Sequence, residues 1–339
     1  MLRRLLRPLL DPYRRYRHAR VIHAVRVSLG LLATILLTTG IHLPHGEWAS
    51  VTMLVVIGGL QHHGNIGKKA AERAIGTLIG AGVGLVLVAQ QAWLGMPWLT
   101  YFAMSVVCGF FSYHAIGKGG YTALLSAITV FIVAGHGDNP VTDGLWRGVD
   151  ILIGIALALA FSFALPLYAV YSWRYNLADA LRDCAKVYGR IIDGQAITAD
   201  EHLKLMTRLN AAMVQLRSLM PSVSKEVKIS MTELDALQRT LEILGNTRPD
   251  ANDLEAMSLM QTALKAEHRQ IRVQLIGMAR ALKSGAAQRL NRPVDVPLVS
   301  LDAPVYNTLD GYRLLTQQLA ANVGEMRQRL AKSAPRWNI

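Results

Sequence analysis

Arg73, Gly76, Thr77, Gly80 and Gly84 recur at spacings of three and four, which sets them on one face of a helix. A face with so little side-chain volume lets a second helix approach closely or leaves room for a path. An arginine stands at its entrance. A guanidinium facing a narrow, small-residue groove in an apolar stretch is suited to handling anions. The bland alternative is a cation that snorkels to headgroups above glycines that only pack helices. A weaker copy follows: Arg147-x-x-Asp150-x-x-x-Gly154 matches Arg73-x-x-Gly76-x-x-x-Gly80, and Ala158 extends it. Arg26, followed by Gly30 and Thr34, adds a third cation of the same kind. Asp150, three residues after Arg147, can pair with it along one helix. It is also the acidic candidate for a proton relay within the apolar spans.

A second group gathers where apolar runs meet basic loops. His62 and His63 close one run, Lys68 and Lys69 form a basic loop before the next, and Lys118 stands in a glycine-rich turn. Together they would focus a positive field at the mouths of a path and draw anions to it. The competing account is the basic flank that sets helix orientation. The ten histidines carry no metal-ligand spacing. No phosphate loop, dinucleotide fingerprint, nucleophile elbow or HExxH is present. The expectation is a protein that is not an enzyme, holds no metal and needs no cofactor.

Those residues need apolar helices to hold them. Of the 339 residues, 52% are hydrophobic and 17% charged, but the two halves differ. Residues 21–168 are rich in Leu, Ile, Val, Gly and Ala, whereas 169–339 reads as helical segments of mixed charge. Six apolar runs can be drawn, at 21–41, 47–62, 73–91, 97–115, 119–135 and 146–168. A spanning helix takes about 20 residues. The second and fifth runs are short, and both contain or abut glycines. Trp48, Trp93, Trp98 and Trp146 fall at run ends, where an aromatic belt sits. The net charge of +13 divides between the loops and the tail, so an anionic membrane surface explains it more simply than nucleic acid. Cys108 and Cys184 are the two cysteines and build no disulfide framework.

Orientation follows from the loops. The arm at 1–20, the Lys68–Lys69 stretch, the Lys118 turn and the tail are basic, whereas loops 41–47, 92–96 and 136–145 hold no Lys or Arg. That alternation predicts six transmembrane helices with both termini in the cytoplasm. The arm would lie on the inner leaflet and lead into an uncleaved first helix. If spans one to three repeat as four to six, the odd count inverts the second copy, an arrangement that points to a transport pathway. The glycine ladders would leave small-residue faces for a second copy of the chain to cover. Beyond Pro166, helices are predicted at 172–195, 199–220, 230–246, 251–285 and 306–333. A capping box at Thr198-Ala-Asp-Glu201 opens the second of these. Pro221 to Glu226 reads as a connector, and 291–305 as an extended loop.

Trp48-x3-Thr52, Gly64-Asn65 and Lys69-Ala-Ala-Glu72-Arg73-x-x-Gly76-Thr77-x-x-Gly80 resemble the fusaric-acid-resistance-like (FUSC) family. That family includes aromatic-acid exporters of bacterial inner membranes and, more distantly, the plant aluminium-activated malate channels. Arg20-Val-Ile-His23-x-x-Arg26-Val, Trp146-Arg147-x-x-Asp150 and Ser224-Lys225-Glu226 are most similar to its short bacterial members. The resemblance implies an all-α membrane protein: six spans as two inverted three-helix repeats at 21–168, then a cytoplasmic helical domain at 169–339. It also implies a homodimer, since the long exporters carry two membrane blocks and this chain carries one. Arg73 and Arg147 match positions that line the anion pathway in the plant channels, with Thr52 and Arg26 in the same quoted motifs. The expected function is export of organic, aromatic or carboxylate anions. A passive anion channel and a non-transporting membrane scaffold or sensor are the alternatives.

Overall fold

Pattern and caps place the helices. The computed structural model describes residues 11–59, 62–117, 119–135, 140–193, 198–246, 265–290 and 307–337. Twelve α-helices and two 3-10 turns make up the regular structure there, and no strand occurs among the described residues. Lys118, the 291–305 loop and the start of the 251–285 helix lie outside them. The chain divides into one unit at His18–Leu167 and another that joins Met1–Arg17 to Tyr168–Ile339.

The first unit contains α2 (Ala19–Gly40), α3 (Glu47–Ile57), α4 (His63–Leu94), α5 (Pro97–Ile116), α6 (Gly120–Ala134) and α7 (Val141–Ala164). Helices α2, α4, α5 and α7 are long and apolar enough to cross a membrane. Helix α3 has 11 residues and α6 has 15. At about 1.5 Å per residue, neither alone crosses a hydrocarbon core of about 30 Å. The 32 residues of α4 exceed that thickness. Its start at His63 makes Lys68 and Lys69 helical rather than part of a loop, and Lys68 Nζ meets Glu72 one turn on, at 3.6 Å. Gly95, at φ +60°, turns the chain out of α4 while its N–H donates to Gln91 O, and Pro97 opens α5.

The short helices are the buried ones. Nine of the 15 residues of α6 are buried, whereas Thr100 and Met104 are the buried residues of α5. Helix α6 packs on α4 and α5, α3 packs on α7 and α2, and α4 packs on α7. Glycine permits the tightest of these contacts. A Cβ at Gly80 would meet Ser126 O at 2.5 Å, and one at Gly154 would press directly on Ala49 O. Gly76 and Gly84 likewise face Thr122–Leu125 and Val133 of α6. The α4 ladder at Gly76, Gly80 and Gly84 is therefore filled within one chain. Apolar side chains instead point outward from the long helices, among them Leu32, Leu36, Leu78, Phe102 and Phe110.

The second unit contains α1 (Pro12–Arg17), α8 (Ala169–Ile192), α9 (Ala199–Val227), α10 (Met231–Asn246), α11 (Lys265–Ser284) and α12 (Asn307–Ser333). Helices α9 and α11 pack on α8, and α12 packs on α10 and α11. The predicted capping box is present, since Thr198 Oγ1 accepts from the Glu201 N–H at 3.3 Å. The predicted connector at 221–226 is not. Helix α9 runs through Pro221 to Val227 because Met220, Val223 and Val227 bury their side chains in the core. The Glu226 carboxylate then accepts from the Ala169 and Val170 N–H groups, each at 3.0 Å, and so caps the start of α8. The basic arm is part of this unit. The Tyr16 ring stacks on Tyr175 at 5.0 Å, and its hydroxyl donates to Asn176 Oδ1.

Candidate functional site

Arg73 is 2% exposed, one turn before Thr77, which is 1% exposed. The ladder that carries both faces the other helices of the unit, so the guanidinium is held inside it. Arg73 Nη2 donates to Thr52 Oγ1 of α3 at 3.4 Å, a long contact. Arg73 Nε, the Thr77 hydroxyl and the Tyr121 hydroxyl are buried without a hydrogen-bond partner. The charge of Arg73 acts on the Tyr121 side chain at the start of α6. Three buried polar groups on α4 and α6 are thus left short of hydrogen-bond partners, which is the chemistry that receives an oxyanion. Sequence reasoning missed Tyr121; its position after Gly119-Gly120, opposite the Lys69 segment, is the signal that was available.

The Lys69 ammonium lies over the Tyr121 ring, 5.6 Å from its centre. Asn65, Lys68, Lys69, Glu72 and Tyr121 line a cavity of about 260 Å³. Two of the predicted mouth residues, Lys68 and Lys69, thus share a cavity, and Tyr121 connects it to Arg73. The histidines do not join them. The His63 ring packs edge-on against Phe163 at 5.4 Å, and the His63 backbone N–H donates to Leu167 O at 2.8 Å. His62 precedes α4, and the charge of Arg26 acts on it. Arg26, 1% exposed, donates from Nη2 to His23 Nδ1 at 2.9 Å, while His23 Nε2 lies 3.2 Å from Gly58 O. A carbonyl only accepts, so the proton is on Nε2 and Nδ1 receives the arginine.

The second motif has the same partners with the halves exchanged. Arg147 Nη1 donates to Ile132 O of α6 at 2.7 Å. Arg73 of α4 thus reaches α3, and Arg147 of α7 reaches α6. In each case the third helix of a half reaches the short helix of the same half, while its glycine takes the short helix of the other. The expected Arg147–Asp150 pair is not formed, because the guanidinium turns to the free carbonyl near the end of α6. Asp150 is 0% exposed, and both its carboxylate oxygens lack a hydrogen-bond partner. The charged groups that act on it are Glu47 and His45. His45 in turn reaches Asp143 Oδ2 at 3.4 Å and Glu47 Oε1 at 3.8 Å.

Comparison with known proteins bears on the same span. The model of the Fusaric acid resistance protein family matches residues 20–336. The chain is also similar to Inner membrane protein YeeA of Escherichia coli (strain K12), with 31% identity over 233 residues. That match covers 68% of this chain and 65% of the length of YeeA.

Proposed function

Because the chain belongs to the fusaric acid resistance protein family, we propose that it exports organic anions, aromatic or carboxylate, across the bacterial inner membrane. The observation that carries this reading is the set of buried donors without acceptors at Arg73, Thr77 and Tyr121. A guanidinium with one 3.4 Å hydrogen bond would be costly unless a ligand or water meets it. The cavity at Lys68 and Lys69 is its entry from the cytoplasm, and Arg147 serves the opposite mouth. Asp150, beside His45 and Glu47, is the group that exchanges a proton.

Two supports come from the fold. The paired exchange of α3 and α6 between α7 and α4 is what two inverted three-helix repeats would give. On that reading all six helices belong to the membrane block, with α3 and α6 as short elements inside it. The apolar residues exposed on α2, α4, α5 and α7 face lipid. The basic arm, the Lys68–Lys69 segment and the second unit then lie in the cytoplasm. The protein works as a homodimer, by likeness to relatives with two membrane blocks, and it catalyses no covalent chemistry.

Proteoliposomes presented with labelled benzoate-type acids or malate in the outer medium test this directly. An imposed pH gradient should drive accumulation of at least one of them, and collapsing the gradient should stop it. No flux above protein-free liposomes across the panel would refute export. Asp150→Asn should abolish gradient-driven accumulation while sparing downhill flux; an unchanged gradient response would make the protein a passive channel. Mass measurement in mild detergent should give two copies.

A further inference from the structure

In the second unit, α8 and α9 face each other with charged residues where a helix pair is normally apolar. Asp183, Lys186, Val187 and Arg190 of α8 stand at i, i+3, i+4 and i+7. Glu201, Lys204, Leu205 and Arg208 of α9 repeat that order of acid, base, aliphatic and base. Both stripes line one cavity of about 500 Å³, and Arg272 of α11 joins them. That volume lies within the range of small-molecule sites.

The charges do not cancel. Asp183 is taken by Lys186 at 2.7 Å, and Glu201 by Arg190 at 2.6 Å. Asp193 is the remaining acid against Lys204, Arg208 and Arg272. Among the described residues, none of those three cations makes an ion pair or a side-chain hydrogen bond. Arg272 Nε is moreover buried without an acceptor. Its position depends on Gly189: a Cβ there would lie 3.1 Å from Arg272 Cζ and Nε. The absence of a side chain at 189 lets the Arg272 guanidinium lie against α8 while the residue lines the cavity. An arginine so placed, with a lysine and an arginine one turn apart on the facing helix, matches the geometry that receives two anionic groups.

We propose that this cavity binds a small polyanion carrying two or more phosphate or carboxylate groups, held by Arg272, Lys204 and Arg208. The site is separate from the Arg73 path and stands or falls independently of transport. Its ligand is either a free metabolite or the headgroup of an anionic lipid, which offer the same chemistry.

The test is thermal unfolding of the full chain in detergent with sodium pyrophosphate or citrate, at constant ionic strength so that general screening is held fixed. A second arm uses nanodiscs of phosphatidylcholine with or without phosphatidic acid. A rise in melting temperature with pyrophosphate or citrate identifies a free polyanion, and a rise only with phosphatidic acid identifies a headgroup. In either case Arg272→Gln and the exposed double variant Lys204→Gln/Arg208→Gln should weaken the apparent affinity by about tenfold or more. Gly189→Ala, which moves only the guanidinium, should weaken it by a smaller factor and keep the ligand-free melting temperature. A shift equal to that of sodium chloride, no shift in either arm, or a shift that survives the Lys204/Arg208 change overturns the site.

Discussion

The first unit buries Arg26 and Arg73 almost completely and the second buries Arg174, and Arg73 and Arg174 are treated in opposite ways. Arg174 of α8, 1% exposed, donates from Nε and Nη2 to Leu282 O at 3.2 and 2.8 Å and from Nη1 to Trp337 O at 3.2 Å. The rings of Tyr175 and Trp337 lie 5.9 and 5.6 Å from its guanidinium carbon. Its protons end on the protein, and the cation fastens α8 to α11 and to the 3-10 turn at Ala334–Arg336. Arg73 is nearly as buried, yet a single long bond to Thr52 is its hydrogen bond to the protein. A buried cation that the fold has satisfied is a fastener, whereas one left short of acceptors is held ready for something that arrives.

The sharpest way to break this contrast is to delete both cations in turn. Arg174→Ala strands the Leu282 and Trp337 carbonyls and opens a cavity under the Trp337 ring. It should destabilise the full chain by about 3–5 kcal/mol in thermal or denaturant unfolding. Arg73→Ala should instead leave the melting temperature near that of the parent while lowering anion flux by about 10- to 100-fold. Arg73→Lys should retain part of the flux, because the charge survives and the fork does not. Equal losses of stability in the two Ala variants would erase the distinction.

Glycine substitutions refine the comparison within the membrane unit. Gly80→Ala and Gly154→Ala press a methyl group onto backbone oxygens of Ser126 and Ala49 and should cost about 1–2 kcal/mol each. Gly82 has nothing within 4 Å of a Cβ, so Gly82→Ala should be neutral or slightly stabilising in the same assay. A pH-dependent effect belongs to His268 of α11, whose Nδ1 is buried without a hydrogen-bond partner. Burial holds it below the ordinary histidine value of 6.5. The unfolded chain therefore takes up the proton first, so this contribution is intact above pH 6.5 and is lost as pH falls through the folded value. The slope is at most about 1.4 kcal/mol per pH unit. His268→Gln should flatten it in a pH series of melting temperatures.

Much of the helical layout was legible because apolar period, caps and turn residues act locally. Gly95 with Pro97 marks the turn between α4 and α5, and Thr198 with Glu201 marks the start of α9. The misplaced boundaries have a common physical cause. At Pro221 the burial of Val223 and Val227 outweighs the lost backbone bond, and at Lys68 a helix continues through residues that look like a loop. The arginines of the candidate site could be found from spacing alone. Their contacts could not: Thr52 was named only through the family resemblance, Tyr121 is brought beside Arg73 by tertiary packing, and Arg147 takes Ile132 O and not the carboxylate of Asp150, three residues along the chain. The polyanion cavity was invisible for the same reason: its two stripes look like ordinary solvent-facing charge until α8, α9 and α11 are assembled.

The acceptors that hold Arg174 have a consequence for how the molecule is made. Leu282 and Trp337 follow Arg174 by 108 and 163 residues. A ribosome adding about 5–20 residues per second needs roughly 8–30 s to go from the arginine to Trp337. Throughout that interval the cation of α8 is unclaimed, although Tyr16 is already available to stack on Tyr175. The helices of residues 18–167, by contrast, have all their mutual partners before α8 is translated. Insertion of the apolar unit can therefore finish first, and closure of the second unit around Arg174 is a late event.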